Sequence, residues 1–121
     1  MSIEVINLAH KFSQFDEKWH PHIIAELNGQ QVKLAKLEVD FVWHAHADED
    51  ELFLVVNGQF TIEFRDGEVT LSAGELCVVP RGVEHRPVAD GIAQVLLFEP
   101  ATTKHTGDIQ SERTVRDPGW I

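Results

Sequence analysis

Hydrophobic and polar residues alternate along most of the chain between residues 22 and 99. In QFTIEFR, Phe60, Ile62 and Phe64 fall on one face of an extended strand, and polar residues separate them. Similar short apolar runs recur along the chain, namely HIIAEL, QVKLAKLEV, ELFLVV, ELCVV, HRPV and IAQVLLFE. Many short antiparallel strands joined by turns predict an all-β fold, either a sandwich or a barrel.

The turn dipeptides predict which strands form hairpins. Asn28-Gly29, Asn57-Gly58 and Asp66-Gly67 each separate two apolar runs. Asparagine, aspartate and glycine tolerate the positive φ angles of tight turns, so the strands on either side of each dipeptide are expected to pair. Asp90-Gly91 is expected to separate the strand HRPV from the strand IAQVLLFE.

The two ends of the chain differ from its middle. NLAHKFSQF predicts a short N-terminal helix that Asn7 caps, with its apolar residues on one side. Residues 100–121 are mostly polar and predict an extended tail on the domain surface. Repeats and linkers are absent, so residues 1–121 are expected to form a single domain.

Composition excludes several classes of function. The chain has 121 residues, 43% of them hydrophobic and 25% charged, which is ordinary for one globular domain. Its net charge of −10 argues against nucleic acid as a partner, because phosphate binding needs clustered lysine and arginine. No run approaches the roughly 18 apolar residues of a membrane helix, and no secretory signal is visible. With a single cysteine, Cys77, a cytoplasmic location is the default expectation.

The stretch HAHADEDELFLVVNG, residues 44–58, places metal-coordinating side chains directly before an apolar strand. His44 and His46 are two residues apart and would point the same way on a strand. Four acidic residues compete to join them: Asp48, Glu49, Asp50 and Glu51. Glu51 opens the next strand, and His85 arrives from a third segment after a turn. Three neutral imidazoles and one carboxylate suit a divalent transition metal.

These residues resemble the first motif of the cupin superfamily, G-x5-H-x-H-x(3,4)-E-x6-G. The match runs from His44 to Gly58, and the six-residue gap before Gly58 fits only Glu51 among the four acidic residues. The chain departs from the motif at its opening glycine, where it has Glu38.

The second cupin motif, G-x5-P-x-G-x2-H-x3-N, is matched from Gly74 to His85. Its closing asparagine is replaced by Ala89, which argues against the oxalate-handling branch of the family. The short spacing between the two motifs resembles that of small single-domain bacterial cupins, often labelled mannose-6-phosphate isomerase-like. The resemblance covers about residues 22–99.

The resemblance implies a jelly-roll barrel with a metal inside it. It implies four metal ligands: His44, His46, Glu51 and His85. The metal would be a divalent ion of manganese, iron, nickel, copper or zinc. Glu51 is also implied as a catalytic proton acceptor, if it detaches from the metal.

Three functional hypotheses follow. The leading one is a metal-dependent enzyme, with dioxygenase- or isomerase-type chemistry on a small oxygen-rich molecule. The second is a non-catalytic module that binds or senses a small ligand. The third is a structural barrel without a ligand. The doubly apolar run ELFLVV suggests a strand covered on both faces, and with the resemblance it predicts a homodimer.

Other residues with possible chemistry are expected to be structural. Trp43 alternates with the two histidines of the first motif and should point away from the metal. Cys77 is expected to be a buried, inert thiol, and His20 and His22 have no evident third ligand. His105, in the tail, either lies on the surface or reaches the mouth of the barrel.

Overall fold

The computed structural model describes residues 2–103 and 119–121. The described residues form one short helix and seven β-strands, which confirms the predicted all-β fold with an N-terminal helical segment. In chain order the elements are α1 (Leu8–Phe12), β1 (His22–Leu27), β2 (Gln30–Asp40), β3 (Glu51–Asn57), β4 (Gln59–Phe64), β5 (Gly67–Ser72), β6 (Leu76–Val79) and β7 (His85–Pro100). Among these residues, no helix is long and apolar enough to cross a membrane.

Helix α1 begins where the sequence predicted. The Asn7 side chain accepts a hydrogen bond of 2.9 Å from the backbone N–H of His10, which caps the helix. Phe12 and, just beyond the helix, Phe15 are buried in a small apolar cluster with Ile24 and Leu34. This cluster fixes the helix against the outer face of β1 and β2.

The long strand β7 joins the two layers of the barrel. Its first residues pair with β4, its later residues pair with β3, and β2 runs antiparallel along nearly its whole length. Gly91 lies within β7 with a φ of 84°, and Val39 lies within β2 with a φ of 57°, beside the point where their pairing register shifts. The prediction that Asp90-Gly91 separates two strands is therefore wrong: the dipeptide lies inside one continuous strand.

The hairpin predictions have mixed outcomes. Asn28 and Gly29 adopt φ angles of 51° and 78° and connect the paired strands β1 and β2. Strands β4 and β5 also form a hairpin, as expected from the sequence around Asp66. The hairpin predicted at Asn57-Gly58 is wrong, because β3 pairs with β6 and β7 whereas β4 pairs with β5 and β7.

Gly58 is required by a close approach between backbones. Its φ is 87°, and a Cβ atom added there would lie 2.7 Å from the carbonyl oxygen of Ile92 in β7. At this point the chain passes from a strand beside the second half of β7 to one beside its first half. The dipeptide thus marks a crossing between layers.

The inward faces of the strands form the main core. It contains Ala35, Leu37, Phe53, Val55, Phe60, Ile62, Leu71, Val79, Ala89, Ala93, Val95 and Leu97. In β3, Glu51, Phe53 and Val55 are buried, whereas the intervening residues of its outer face are only half-buried. The expectation that ELFLVV is covered on both faces therefore holds for the inner face, and the outer face is partly open in this chain.

Candidate metal centre

Three backbone hydrogen bonds bring the histidine-bearing segments together. The N–H of His44 donates to the carbonyl oxygen of His85 at 2.9 Å, and the N–H of His85 donates to that of His44 at 2.8 Å. The N–H of Gly82 donates to the carbonyl oxygen of His46 at 2.7 Å, and Gly82 has a φ of 80°. His44 and His46 lie in a loop rather than in a regular strand, yet both side chains point into the barrel.

The four predicted ligand residues converge. His44, His46, Glu51 and His85 each offer one nitrogen or oxygen atom, and these atoms all lie within 4.8 Å of one another. Nε2 of His46 is 3.3 Å from Oε1 of Glu51, and Nε2 of His85 is 3.6 Å from the same oxygen. Two atoms that bind one metal at about 2.1 Å lie roughly 3.0 to 3.4 Å apart, so the His46–Glu51 separation falls in this range and the His85–Glu51 separation is slightly longer. The group could hold such an ion.

Hydrogen bonds to the backbone orient two of the imidazoles. Nδ1 of His44 is 2.9 Å from the carbonyl oxygen of Val42, and Nδ1 of His85 is 2.9 Å from that of Val83. Because a carbonyl oxygen only accepts, each Nδ1 carries the hydrogen and each Nε2 keeps its lone pair. Metal-binding histidines are commonly held in this way, with the second ring nitrogen donating to a carbonyl.

Burial sets the charge state of the site. It lowers the pKa of His44 to about 4, with the neighbouring His85 adding to the effect, so His44 is neutral at pH 7. Burial acts to raise the pKa of Glu51, but hydrogen bonding to Glu99 and the nearby imidazoles of His46 and His85 outweigh it and hold that pKa well below its usual value. The ionised carboxylate thus faces imidazole nitrogens in a dry interior.

Two of these buried atoms lack a hydrogen bond of normal geometry with any described residue. They are Oε1 of Glu51 and Nε2 of His85, and each has an available lone pair. Two lone pairs 3.6 Å apart repel each other unless a cation lies between them. The donor set therefore fits a divalent metal in both its geometry and its charge.

A buried ion pair beside Glu51 was not anticipated from the sequence. Nζ of Lys33 is 3.0 Å from Oε1 of Glu99, and both residues are 1% exposed. Lys33 also donates to the carbonyl oxygen of Thr103 at 3.4 Å. Burial, and then the charge of Glu51, raises the pKa of Glu99 well above its usual value despite Lys33. Glu99 thus stands between Lys33 and Glu51.

The signal for this pair was present in the alternation. Lys33 shares its strand face with Ala35 and Leu37, and Glu99 shares its face with Val95 and Leu97. A charged residue at an inward position of a barrel strand has to find a partner in the interior.

An apolar cavity borders the candidate metal ligands on one side. It touches His44 and Glu51, and it has room for about 30 Å³. Its remaining walls are carbon-rich: Trp19, Pro21, Ala35, Leu37, Phe41, Phe53, Pro87 and Leu97. The rings of Trp19 and Phe41 are stacked at 4.6 Å, and Phe41 meets His44 edge-on at 5.6 Å. The role of Trp19 was also missed, because it lies in the connection before β1.

The other acidic residues of the first motif lie outside the site. Asp48 is exposed, and Glu49 accepts a hydrogen bond of 3.3 Å from the Thr102 hydroxyl. Asp50 accepts from the backbone N–H of Arg81 at 2.8 Å and forms an exposed ion pair with the Arg81 side chain. Of the four competing carboxylates, only that of Glu51 joins the histidines.

The remaining candidate residues are accounted for as follows. Trp43 points away from the site and packs under Arg65, whose guanidinium carbon lies 3.8 Å from the centre of a Trp43 ring. Cys77 is half-buried rather than buried, and burial raises the pKa of its thiol. His20 and His22 stack on each other at 4.6 Å, away from the four converging groups. His105 and most of the predicted tail lie outside the described residues.

Comparison with known proteins adds three findings. Residues 30–99 match the family model described as a cupin domain. The solved structure of a cupin-2 domain containing protein from Shewanella frigidimarina NCIMB 400 is 51% identical and covers 79% of this chain and 94% of its own, with a TM-score of 0.79. The uncharacterized protein YdbB of Bacillus subtilis (strain 168) is 37% identical over 81 residues, which are 66% of this chain and 72% of YdbB.

A more distant structure shares the fold alone. The hydroquinone 1,2-dioxygenase PnpCD in complex with Fe3+ is 18% identical, with a TM-score of 0.72. The match covers 83% of this chain and 33% of the dioxygenase chain. At this identity the likeness concerns the path of the backbone, and it carries no information on residues or activity.

Proposed function

This chain belongs to the cupin domain family, and we propose that it is a metal-dependent enzyme acting on a small molecule that binds the metal through oxygen atoms. The proposed ligands are His44, His46, Glu51 and His85. The observation that carries the proposal is the convergence of their donor atoms within 4.8 Å, on four side chains that are at most 3% exposed. A chain without a ligand at this position would leave a carboxylate and imidazole lone pairs facing one another.

Each residue has a defined task in this proposal. Val42 and Val83 accept the Nδ1–H of His44 and His85, which keeps the Nε2 lone pairs pointed at the ion. Glu51 is ionised, which is the form needed both for a ligand and for a proton acceptor. Four protein ligands leave one or two positions for substrate.

A bound divalent metal would supply Lewis acidity and, in the case of iron, nickel or copper, redox chemistry with dioxygen. Manganese and zinc are equally compatible with three imidazoles and one carboxylate. Both dioxygenase- and isomerase-type reactions are therefore included in the proposal.

Metal content tests the proposal directly. The protein is purified, stripped with chelator, exposed to an equimolar mixture of divalent ions, and its bound metal is measured by mass spectrometry. We expect about one ion per chain in the wild type and a loss of at least about 90% in His46→Ala. His10→Ala is the matched control, because His10 lies on the exposed surface of α1.

The melting temperature provides a second readout. A ligand at 100 times its dissociation constant stabilises the folded state by about 2.7 kcal/mol. Chelation should therefore lower the melting temperature of the wild type and of His10→Ala, but not that of His46→Ala. Equal metal content in His46→Ala and the wild type would contradict the proposal, provided that circular dichroism shows the variant to be folded.

The narrower assignments remain predictions. They are the likeness to mannose-6-phosphate isomerase-type cupins, the cytoplasmic location and the homodimer. The half-buried outer face of β3 supports the homodimer. Light scattering that finds only a species of 13.7 kDa would refute it.

A further inference from the structure

We propose that the cavity beside the metal ligands selects small molecules with a flat apolar body, an aromatic ring in particular, that carry their oxygen donors at one end. Sugars and other polyhydroxylated molecules should bind poorly in this cavity. This inference rests on the proposed function, because the oxygen donors bind the proposed metal. It narrows the substrate class on grounds that are independent of the metal ligands themselves.

The first argument is that the walls of the cavity offer few polar partners to a ligand. Among the described residues that border the cavity, the polar side chains are His44 and Glu51, both engaged at the proposed metal, and Trp19, whose indole N–H donates to a backbone carbonyl. The buried polar pair in the barrel, Lys33 and Glu99, does not line the cavity. A hydroxyl group held here away from the metal would give up its water without gaining a partner, which weakens binding by about tenfold or more.

The second argument is that aromatic rings form part of the cavity wall. The planes of Trp19 and Phe41 are within 14° of parallel, so these two rings stack to form one aromatic wall. Phe53 contributes another ring, which meets His85 edge-on at 6.3 Å. Aromatic side chains pack well against a flat ring in stacked or edge-on arrangements.

The size of the cavity identifies the wall that must move. Room for about 30 Å³ is too small for an aromatic ring, so a ring enters only when a side chain is displaced. Trp19 is half-buried, whereas the other lining residues are buried. Its φ of 61° is a conformation that bulky residues rarely adopt. Its indole N–H donates to the carbonyl oxygen of Glu38 at 2.7 Å. Trp19 therefore forms the outer wall that a ligand displaces and then packs against.

Three hydroxamates that share one chelating group test the inference. Acetohydroxamate has a methyl body, benzohydroxamate a phenyl body, and gluconohydroxamate a polyhydroxylated body. Each is titrated into the protein loaded with Co2+, whose visible absorption bands report ligands that bind the metal. Each dissociation constant is then divided by that of the same probe for Co2+ in buffer, which removes the intrinsic strength of the chelating group.

We expect corrected affinity to be at least tenfold higher for benzohydroxamate than for acetohydroxamate, because the phenyl ring is removed from water. Gluconohydroxamate should bind more weakly than acetohydroxamate. In Trp19→Ala the preference for phenyl should fall below about threefold, and Trp19→Phe should retain most of it. Trp120→Ala is the matched control, since Trp120 is exposed and lies outside the cavity.

The possible failures are distinguishable. If Co2+ is bound and the hydroxamates perturb its spectrum without any preference for phenyl, this inference is overturned and the proposed metal site stands. A preference that persists unchanged in Trp19→Ala also overturns it, because the ring would then bind elsewhere. If the wild type fails to bind Co2+ or any of the metals tested above, the proposed function fails, and this inference fails with it.

Discussion

The buried pair Lys33–Glu99 allows a quantitative test of what holds this barrel together. Both side chains are almost fully buried, and the Lys33 ammonium lies 3.0 Å from the Glu99 carboxyl group. Glu99→Leu leaves the Lys33 ammonium in the interior with only a backbone carbonyl at 3.4 Å. Removing one member of a buried pair costs about 3 to 5 kcal/mol, because the other charge has lost its solvation and its partner.

The double variant Lys33→Met/Glu99→Leu should behave differently. It replaces both polar groups with apolar side chains of similar size, so no unpaired Lys33 ammonium remains. Such replacements are often neutral or stabilising. We expect its free energy of unfolding to lie within about 1 kcal/mol of the wild-type value, which makes the coupling between the two positions at least about 2 kcal/mol.

The assay is urea denaturation of the metal-free protein at pH 7, followed by circular dichroism. The exposed pair Asp50–Arg81 provides the control: Asp50→Ala should cost about 1 kcal/mol or less, because both the ion pair and the hydrogen bond to the Arg81 backbone are exposed to solvent. If Glu99→Leu and the double variant lose the same stability, the reasoning is refuted. The loss would then come from packing, and Lys33 would carry no unpaired charge in the single variant.

Two further predictions concern the backbone and pH. Gly58→Ala should lower the free energy of unfolding by more than about 2 kcal/mol, because the added Cβ would clash with the carbonyl oxygen of Ile92. Gly91→Ala is the control in the same urea assay. Gly91 has a similar φ, but no atom lies near the position of the added Cβ, so this variant should lose only about 1 kcal/mol. Burial, and then His20, lowers the pKa of His22 below its usual 6.5, so the folded state favours the neutral ring. The free energy of unfolding should therefore fall as the pH drops below about 6.5, and it should fall less steeply in His22→Gln than in the wild type. Parallel curves of unfolding free energy against pH for the wild type and His22→Gln would contradict this prediction.

Local sequence signals predicted the elements that are determined locally. The capping side chain of Asn7 acts within three residues of itself, and the turn at Asn28-Gly29 joins strands that are adjacent in the chain. In each case the physical cause lies within a few residues, so the sequence is sufficient.

The errors arose where pairing depends on distant residues. The signal at Asn57-Gly58 is as strong as that at Asn28-Gly29, yet β3 pairs with β6 and β7 because the barrel has to close. The conformation of Gly58 responds to Ile92, 34 residues further along the chain, and no local pattern contains that contact. The continuity of β7 through Gly91 was missed for the same reason: β2 stays paired with β7 on both sides of the bend.

The presence of Lys33 and Glu99 inside the barrel calls for a reason other than stability, since an apolar pair would serve the fold as well. Glu99 is hydrogen-bonded to Glu51, the one acidic residue that joins the histidines, so we expect the pair to orient that carboxylate. The double variant Lys33→Met/Glu99→Leu should then keep wild-type stability without metal but bind divalent metal about 10- to 100-fold more weakly, the usual effect of losing a group that orients a ligand. Metal titration against a competing chelator measures this difference, and Asp50→Ala should match the wild type. Unchanged metal affinity in a stable double variant would show that the pair has no bearing on the site.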